Sequence, residues 1–260
     1  MDKVTYEVDR GVAILTLSDP PANTYSYEMM QALDAAILRA RMDEAVHVLV
    51  LIGAGEKFFC AGADIKMLTT AAPSFKYYFC LHANETLNRL EQTPKLVIAA
   101  LNGHCVGGGL EVAMAADLRV ARRGAGKIGL PEVNLGVLPG TGGTQRLARL
   151  VGRSRAIELM TKGENLSVDE AKAMGLVNEI LDEAGFRDAA LAYARGFVPP
   201  ARASRAVGLI KRAVVSGLEV PFESGLALER ELQQQLFLSE DAREGLAAYV
   251  DKRPPVWKGR

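Results

Sequence analysis

The stretch Leu96-Val97-Ile98-Ala99-Ala100-Leu101-Asn102-Gly103-His104-Cys105-Val106-Gly107-Gly108-Gly109-Leu110-Glu111 decides how this chain is read. It opens with an apolar run of strand length, passes through a glycine-rich turn and enters a helix that carries a carboxylate near its start. Further on, Pro131-Glu132 puts a second carboxylate in a loop that is also rich in Gly and Pro. Bare backbone N–H groups at a helix start attract developing negative charge. Two carboxylates brought to one spot move protons in both directions. The combination points to an enzyme acting on a carbonyl compound.

Outward from this stretch, the N-terminal half alternates strands with helices. Val12 to Leu17 reads as a strand ended by Asp19-Pro20-Pro21, where proline removes ladder donors. Ser26 is placed to cap the next helix, whose face carries Met30, Leu33 and Ile37 at helical spacing. His47 to Ile52 is almost continuously apolar, as a strand covered on both faces requires, and Gly53-Ala54-Gly55 closes it. A helix over about 75–91 precedes the strand at Leu96. Short strands are predicted near Leu118–Ala121 and Lys127–Leu130, around the turn Gly124-Ala125-Gly126. Beyond Gly143 the pattern turns helical: Ser167-Val168-Asp169-Glu170 is a capping box, Gly175 suits the exit of that helix, and Leu176 to Ile180 reads as a last strand. After Pro199-Pro200, amphipathic helices carry Val207, Ile210 and Val214, then Leu228, Leu232 and Leu236, and a final helix lies near Glu244–Val250. Little chain is left to cover these apolar faces, which favours packing on another subunit. No sequence-level repeat is evident.

Composition narrows the class. Lys plus Arg and Asp plus Glu both total 31, so no global field draws in nucleic acid or an anionic membrane. No apolar run approaches the roughly 20 residues of a membrane span, and the acidic start Met1–Glu7 does not resemble a signal peptide. The 3 cysteines are odd in number and widely spaced, which fits a reducing, cytoplasmic setting. His47, His82 and His104 show no metal-ligand spacing with them, so no metal is expected.

Rival motifs fail on spacing or order. The phosphate-binding pattern G-x-x-x-x-G-K-[ST] is absent, and Phe58 stands where a dinucleotide fingerprint beginning at Gly53-Ala54-Gly55 needs its third glycine. Gly103-His104-Cys105-Val106-Gly107 has the form of a nucleophile elbow, but every histidine precedes Cys105, whereas hydrolases of that design place the base after the nucleophile. Cys105 is therefore expected to be a small buried residue. Tight packing explains one or two of the glycines at 107–109, but three in succession before an acid are harder to explain that way. Glu111 is the only charge between Lys95 and Asp117, and a buried unpaired carboxylate is costly; a structural ion pair is the alternative. Phe58 to Lys66, taken alone, reads as a plain strand-to-helix turn with Asp64 as cap.

Taken together, Phe59-Cys60-Ala61-Gly62-Ala63-Asp64-Ile65-Lys66, Asn102 to Glu111, Gly129-Leu130-Pro131-Glu132, Gly136 to Leu147 and Glu244 to Tyr249 resemble the crotonase, or enoyl-CoA hydratase/isomerase, family. The match runs almost end to end. It implies an α/β fold: a crotonase-like spiral of ββα units over 1–198 and a helical C-terminal oligomerisation region over 199–260. It implies an acyl-CoA substrate, no cofactor apart from the CoA that the substrate carries, and a homotrimer or homohexamer. By similarity, the N–H groups of Ala63 and Gly108 form an oxyanion hole and Glu111 and Glu132 are the catalytic acids. Ala61, Lys66, Gly140, Tyr249 and Lys252 are implied CoA or substrate contacts, the last two reaching a neighbouring subunit. Glutamate at both acid positions favours a hydratase over a 3-to-2-enoyl-CoA isomerase or a non-catalytic RNA-binding member. Thr141 and Leu110 stand where the family varies. Phe75, Tyr77, Tyr78 and Phe79 are candidate walls of an acyl pocket, and a methyl group at Gly108 is expected to crowd the thioester.

Overall fold

The structure, a computed structural model, describes residues 2–260. Its strands are β1 (Val4–Asp9), β2 (Val12–Leu17), β3 (Val48–Gly53), β4 (Phe58–Cys60), β5 (Leu96–Leu101), β6 (His104–Val106), β7 (Leu118–Arg122), β8 (Ile128–Gly129), β9 (Asn165–Leu166) and β10 (Glu179–Leu181). They form two sheets. The larger has the order β1-β2-β3-β5-β7-β10, parallel except for the β1–β2 hairpin. The smaller has the order β4-β6-β8-β9, its first three strands parallel.

The chain winds as a spiral. After β3 lies in the large sheet, β4 enters the small one and helices Ile65–Thr70 and Pro73–Glu91 follow. Strands β5 and β6 repeat the step before helix Gly108–Met114, and β7 and β8 repeat it again before a 3-10 turn over Glu132–Leu135. These ββα units share a topology and not a residue pattern, which is why no repeat shows in the sequence.

Alternation decides what each strand buries. Ala13, Leu15, Leu17, Leu49, Leu51, Val97, Ala99 and Leu101 face one core, which helices Tyr27–Met42 and Pro73–Glu91 complete through Met30, Leu33, Ile37, Phe79 and Leu87. Their neighbours Val12, Ile14, Val48, Val50, Ile98 and Val120 face a second core under helix Phe186–Arg195. The continuous apolar runs of the sequence are therefore strands buried on both faces. Ser26 caps its helix by accepting from Met29 N at 3.3 Å, and the box at Ser167 and Glu170 closes as expected. One boundary differs: Leu176 and Val177 are buried but lie in the loop before β10, which begins at Glu179. The Leu176 carbonyl there accepts from Arg119 Nε at 2.7 Å, so it is bound to a side chain and not to a ladder.

The C-terminal helices are Ser204–Gly217, Phe222–Phe237 and Glu240–Val250. The first is tied to the large sheet by a buried ion pair, Lys211 Nζ to Asp117 Oδ2 at 2.8 Å, while Val97 N donates to the same oxygen at 2.7 Å. Removing one member of such a pair leaves a buried charge uncompensated. Lys211→Ala is expected to cost about 3–5 kcal/mol, read as a lower urea midpoint; an unchanged midpoint would contradict this anchoring role.

Candidate active site

Three parallel strands of the small sheet end side by side, and the segments that leave them build the site. Strand β4 runs into Ala61-Gly62-Ala63, β6 into Gly107-Gly108, and β8 into Leu130-Pro131-Glu132. Gly107 N donates to Gly129 O at 2.8 Å, which sets the glycine turn against the strand that leads to Glu132. Buried Asn102 pins the entry to this layer: its Oδ1 accepts from Gly53 N at 2.9 Å, and its Nδ2 donates to Gly55 O at 2.8 Å.

Each glycine of 107–109 has a steric reason, more than the sequence reading allowed. Gly107 sits at φ 56 and ψ −136, in the half of the map that side chains avoid. A Cβ at Gly109 would overlap the Cys60 carbonyl of β4, and a Cβ at Gly108 would overlap the Tyr25 ring. The expectation that a methyl at Gly108 crowds the thioester is corrected: it points into the protein. Gly108→Ala is expected to destabilise by about 1–3 kcal/mol through overpacking, seen as a lower thermal midpoint. A variant that melts like the native protein would count against this contact.

What packing does not use is the N–H. Among the described residues, neither Ala63 N nor Gly108 N donates to a protein acceptor, whereas their neighbours Asp64 N and Gly107 N do. Gly62 brings the two segments together, since a Cβ built on it lies 3.0 Å from Gly108 N.

The carboxylates occupy contrasting surroundings. Glu111 is 2% exposed, and among the described residues no ion pair holds it. Instead Thr141 N and Gly143 N donate to its Oε1 at 2.8 and 2.7 Å, and the Thr141 hydroxyl donates to Oε2. Gly143 opens helix Gly143–Val151, so the carboxylate sits at a helix N-terminus, where negative charge is favoured. Burial pushes the Glu111 carboxyl upward, while these donors and the nearby Arg146 oppose the shift. Glu132 has no such cradle. Its Oε2 is shielded from solvent without a hydrogen-bond partner among the described residues. Burial first, and then the charge of Glu111, raise its pKa from 4.5 to about 7. Burial raises both carboxyls, but Glu111 has three donors that favour its charged form, a contrast that suits separate base and acid roles.

The other sequence candidates fall in different places. Ala61 follows β4, with its N–H bound to Ala22 O at 3.0 Å. Asp64 does cap helix Ile65–Thr70, accepting from Lys66 N at 2.9 Å, and the Lys66 side chain is exposed beside it. Gly140 immediately precedes the Thr141 that holds Glu111. Tyr249, 86% exposed, lies in the last turn of helix Glu240–Val250, which packs on helix Phe222–Phe237, and Lys252 follows that helix. Of the proposed acyl walls, Phe79 is a core residue 5.6 Å from the Tyr25 ring, while Tyr77 and Tyr78 point outward from the same helix. Cys60 and Cys105 are buried; burial raises the first thiol to about 12 and the second well above its usual value, which leaves both inert as nucleophiles. Among the described residues, no group of three or more His, Cys, Asp or Glu gathers as a metal site requires. Sequence reasoning missed Gly143 and Tyr25, and treated Thr141 as a variable position. The Gly-Thr-Gly-Gly run at 140–143 was the available signal for two of these.

The chain is similar to known proteins over nearly its whole length. A family model described as enoyl-CoA hydratase/isomerase matches residues 7–260. The short-chain-enoyl-CoA hydratase of Clostridium acetobutylicum is 37% identical over 254 residues, covering 97% of this chain and 96% of the relative. The (E)-benzylidenesuccinyl-CoA hydratase of Thauera aromatica is 37% identical over 257 residues, covering 98% of this chain and 99% of the relative. A crystal structure of an enoyl-CoA hydratase from Geobacillus kaustophilus superposes with a TM-score of 0.97 at 46% identity, covering 100% of this chain and 98% of the other. That of the Bacillus anthracis enoyl-CoA hydratase gives 0.90 at 34% identity, covering 99% of this chain and 100% of the other. The fold is the crotonase fold, and the chain belongs to the enoyl-CoA hydratase/isomerase family.

Proposed function

We propose that this protein is an enoyl-CoA hydratase, adding water across the 2,3 double bond of a 2-enoyl-CoA to give a 3-hydroxyacyl-CoA. The observation that carries this reading is the pairing of a cradled Glu111 with an upward-shifted Glu132 whose buried Oε2 has no partner among the described residues. An isomerase needs one carboxyl group to carry a proton between carbons. Hydration needs two, one for the water and one for the carbon.

The thioester carbonyl accepts from Ala63 N and Gly108 N, and the enolate-like charge that develops on its oxygen is held there. Losing one such donor typically costs about 3–4 kcal/mol of transition-state stabilisation. Glu111, as carboxylate, orients a water and takes its proton as the oxygen bonds to C3. Glu132, protonated, delivers its proton to C2. Dehydration runs the same steps backward with the roles exchanged, and the titration belongs to the pair.

The CoA moiety arrives with the substrate, and no separate cofactor is required. Because the Ala61 N–H is already bound, its carbonyl is the group left to face the adenine. Lys66 lies near the CoA, Gly140 borders the reacting end, and Tyr249 and Lys252 reach the CoA of a neighbouring subunit. A homotrimer or homohexamer built through residues 199–260 fits the exposed Leu218, Phe222, Leu246 and Val250 of the C-terminal helices. A monomeric mass in solution would refute that assembly.

The discriminating experiment offers 2-enoyl-CoA and 3-enoyl-CoA in turn and weighs the products. A gain of one water from the 2-enoyl substrate supports the hydratase. An unchanged mass with a moved double bond from the 3-enoyl substrate, without hydration, replaces it with an isomerase.

A further inference from the structure

Tyr25 takes no direct part in the chemistry above, yet it touches the Ala63 loop, Gly108 and the Thr141 that holds Glu111. Its backbone clamps the loop that carries Ala63: Tyr25 N donates to Gly62 O at 2.9 Å, and Asp64 N donates to Tyr25 O at 3.1 Å. Its ring occupies the space that a side chain at Gly108 would need. Its hydroxyl lies 3.1 Å from Thr141 Oγ1, the same oxygen that is bonded to Glu111 Oε2. Tyr25 is 3% exposed, and among the described residues its hydroxyl has no other partner.

The direction of this chain follows from donor counting. An ionised carboxylate only accepts, so the Thr141 hydroxyl donates to Glu111 Oε2. That hydroxyl oxygen then accepts from Tyr25, whose proton has nowhere else to go. Oε1 is already engaged by two N–H groups. The open acceptor position of the carboxylate is therefore on Oε2, beside the Thr141 bond.

We propose that Tyr25 is a positioning residue: through Thr141 it locks the Glu111 carboxylate so that one defined position on Oε2 faces the attacking water. The proposal rests on the assignment of Glu111 as the base. A proton taken from water lands on that open position, so the Tyr25–Thr141–Glu111 relay keeps its direction through the reaction. The same residue holds both oxyanion donors, by its backbone at Ala63 and by its ring at Gly108, and so sets the distance between base and carbonyl.

Other ionisable groups face Glu111 from each packed element. Arg146 of helix Gly143–Val151 is bound to Glu91 Oε2 at 2.9 Å and Asn88 Oδ1 at 2.8 Å; Cys80 lies on helix Pro73–Glu91, and Glu132 on the 3-10 turn. Tyr25→Phe leaves all of these in place and keeps the ring packing, removing only the relay's first donor.

The test uses the full-length protein and two readouts. Tyr25→Phe is expected to lower kcat for 2-enoyl-CoA hydration about 3- to 10-fold with KM little changed, as loss of one buried hydrogen bond implies. Thr141→Val is expected to lose more, Thr141→Ser to recover most of it, and Tyr25→Phe/Thr141→Val to be no worse than Thr141→Val alone. Independently of turnover, the Glu111 carboxyl carbon is followed by 13C NMR, its signal assigned with Glu111→Gln. It is expected to titrate at higher pH in Tyr25→Phe and Thr141→Val, because a donor to the charged form is lost or weakened. Fully additive losses in the double variant, or an unmoved Glu111 titration in Tyr25→Phe, would overturn the relay. A moved titration in a protein that hydrates no 2-enoyl-CoA keeps the relay and sinks the hydratase reading instead.

Discussion

Replacing Glu111 by Gln is expected to lower kcat for hydration by about 10²- to 10⁴-fold while KM stays within a few-fold of native. The substitution removes the group proposed to take the proton from water and little else. Gln keeps a carbonyl oxygen for Thr141 N and Gly143 N, which bond the native Oε1 at 2.8 and 2.7 Å. Its amide meets a Thr141 hydroxyl that accepts as well as donates. Folding is therefore expected to survive, with a thermal midpoint close to native, and the proposed oxyanion donors on Ala63 and Gly108 are untouched. Near-native hydration by Glu111→Gln would show that the buried carboxylate is a structural anchor for helix Gly143–Val151 and not the base.

Glu132→Gln is expected to cost a similar factor for a different reason, and pH separates the two. In the native enzyme the acid must be protonated, and the pKa of Glu132 is raised to about 7. Hydration is thus expected to decline as pH rises through about 7. The acidic limb belongs to Glu111, which must be ionised. In Glu132→Gln the basic limb is expected to vanish from the residual rate, while in Glu111→Gln the acidic limb vanishes. Stability follows the same group. A carboxyl whose folded pKa lies above its ordinary 4.5 contributes fully below that value, and the contribution is lost as pH rises through about 7. The native protein is therefore expected to weaken over that window, modestly because Glu132 is only partly buried, and Glu132→Gln to flatten the trend. A pH–stability curve that is identical in the two proteins would contradict the raised pKa.

Much of this was legible in the chain, for reasons that differ by feature. The strands of the large sheet announce themselves because both of their faces are buried, so Leu96–Leu101 and Val48–Gly53 read as unbroken apolar runs. Glu111 stands out because a lone charge within an apolar stretch needs a purpose, and Glu132 gains weight only beside it. The glycines were legible as a site but misjudged in cause. Gly107, Gly108 and Gly109 each answer to backbone conformation or contact, and the Gly108 N–H is what the packing leaves over for the proposed function.

Tyr25 was invisible for a physical reason. Nothing in Asn23-Thr24-Tyr25-Ser26 distinguishes a core tyrosine from one that reaches a site; only the crossing of chain segments sets its hydroxyl beside Thr141, 116 positions away. The same holds for the ββα repeat, which is a matter of strand order and not of residue pattern. The apolar faces of the last helices were legible, and the structure leaves residues such as Ile210, Val214 and Leu218 uncovered.

The most direct test of the central claim is hydration of a 2-enoyl-CoA in 18O-labelled water, followed by mass analysis of the thioester product. A hydratase working through Glu111 and Glu132 yields 3-hydroxyacyl-CoA with one label, on the C3 hydroxyl and none in the thioester carbonyl, and both Gln variants form almost none of it. Label appearing in a released free acid, or recovery of the substrate at unchanged mass, would contradict water addition at C3 as the reaction of this site.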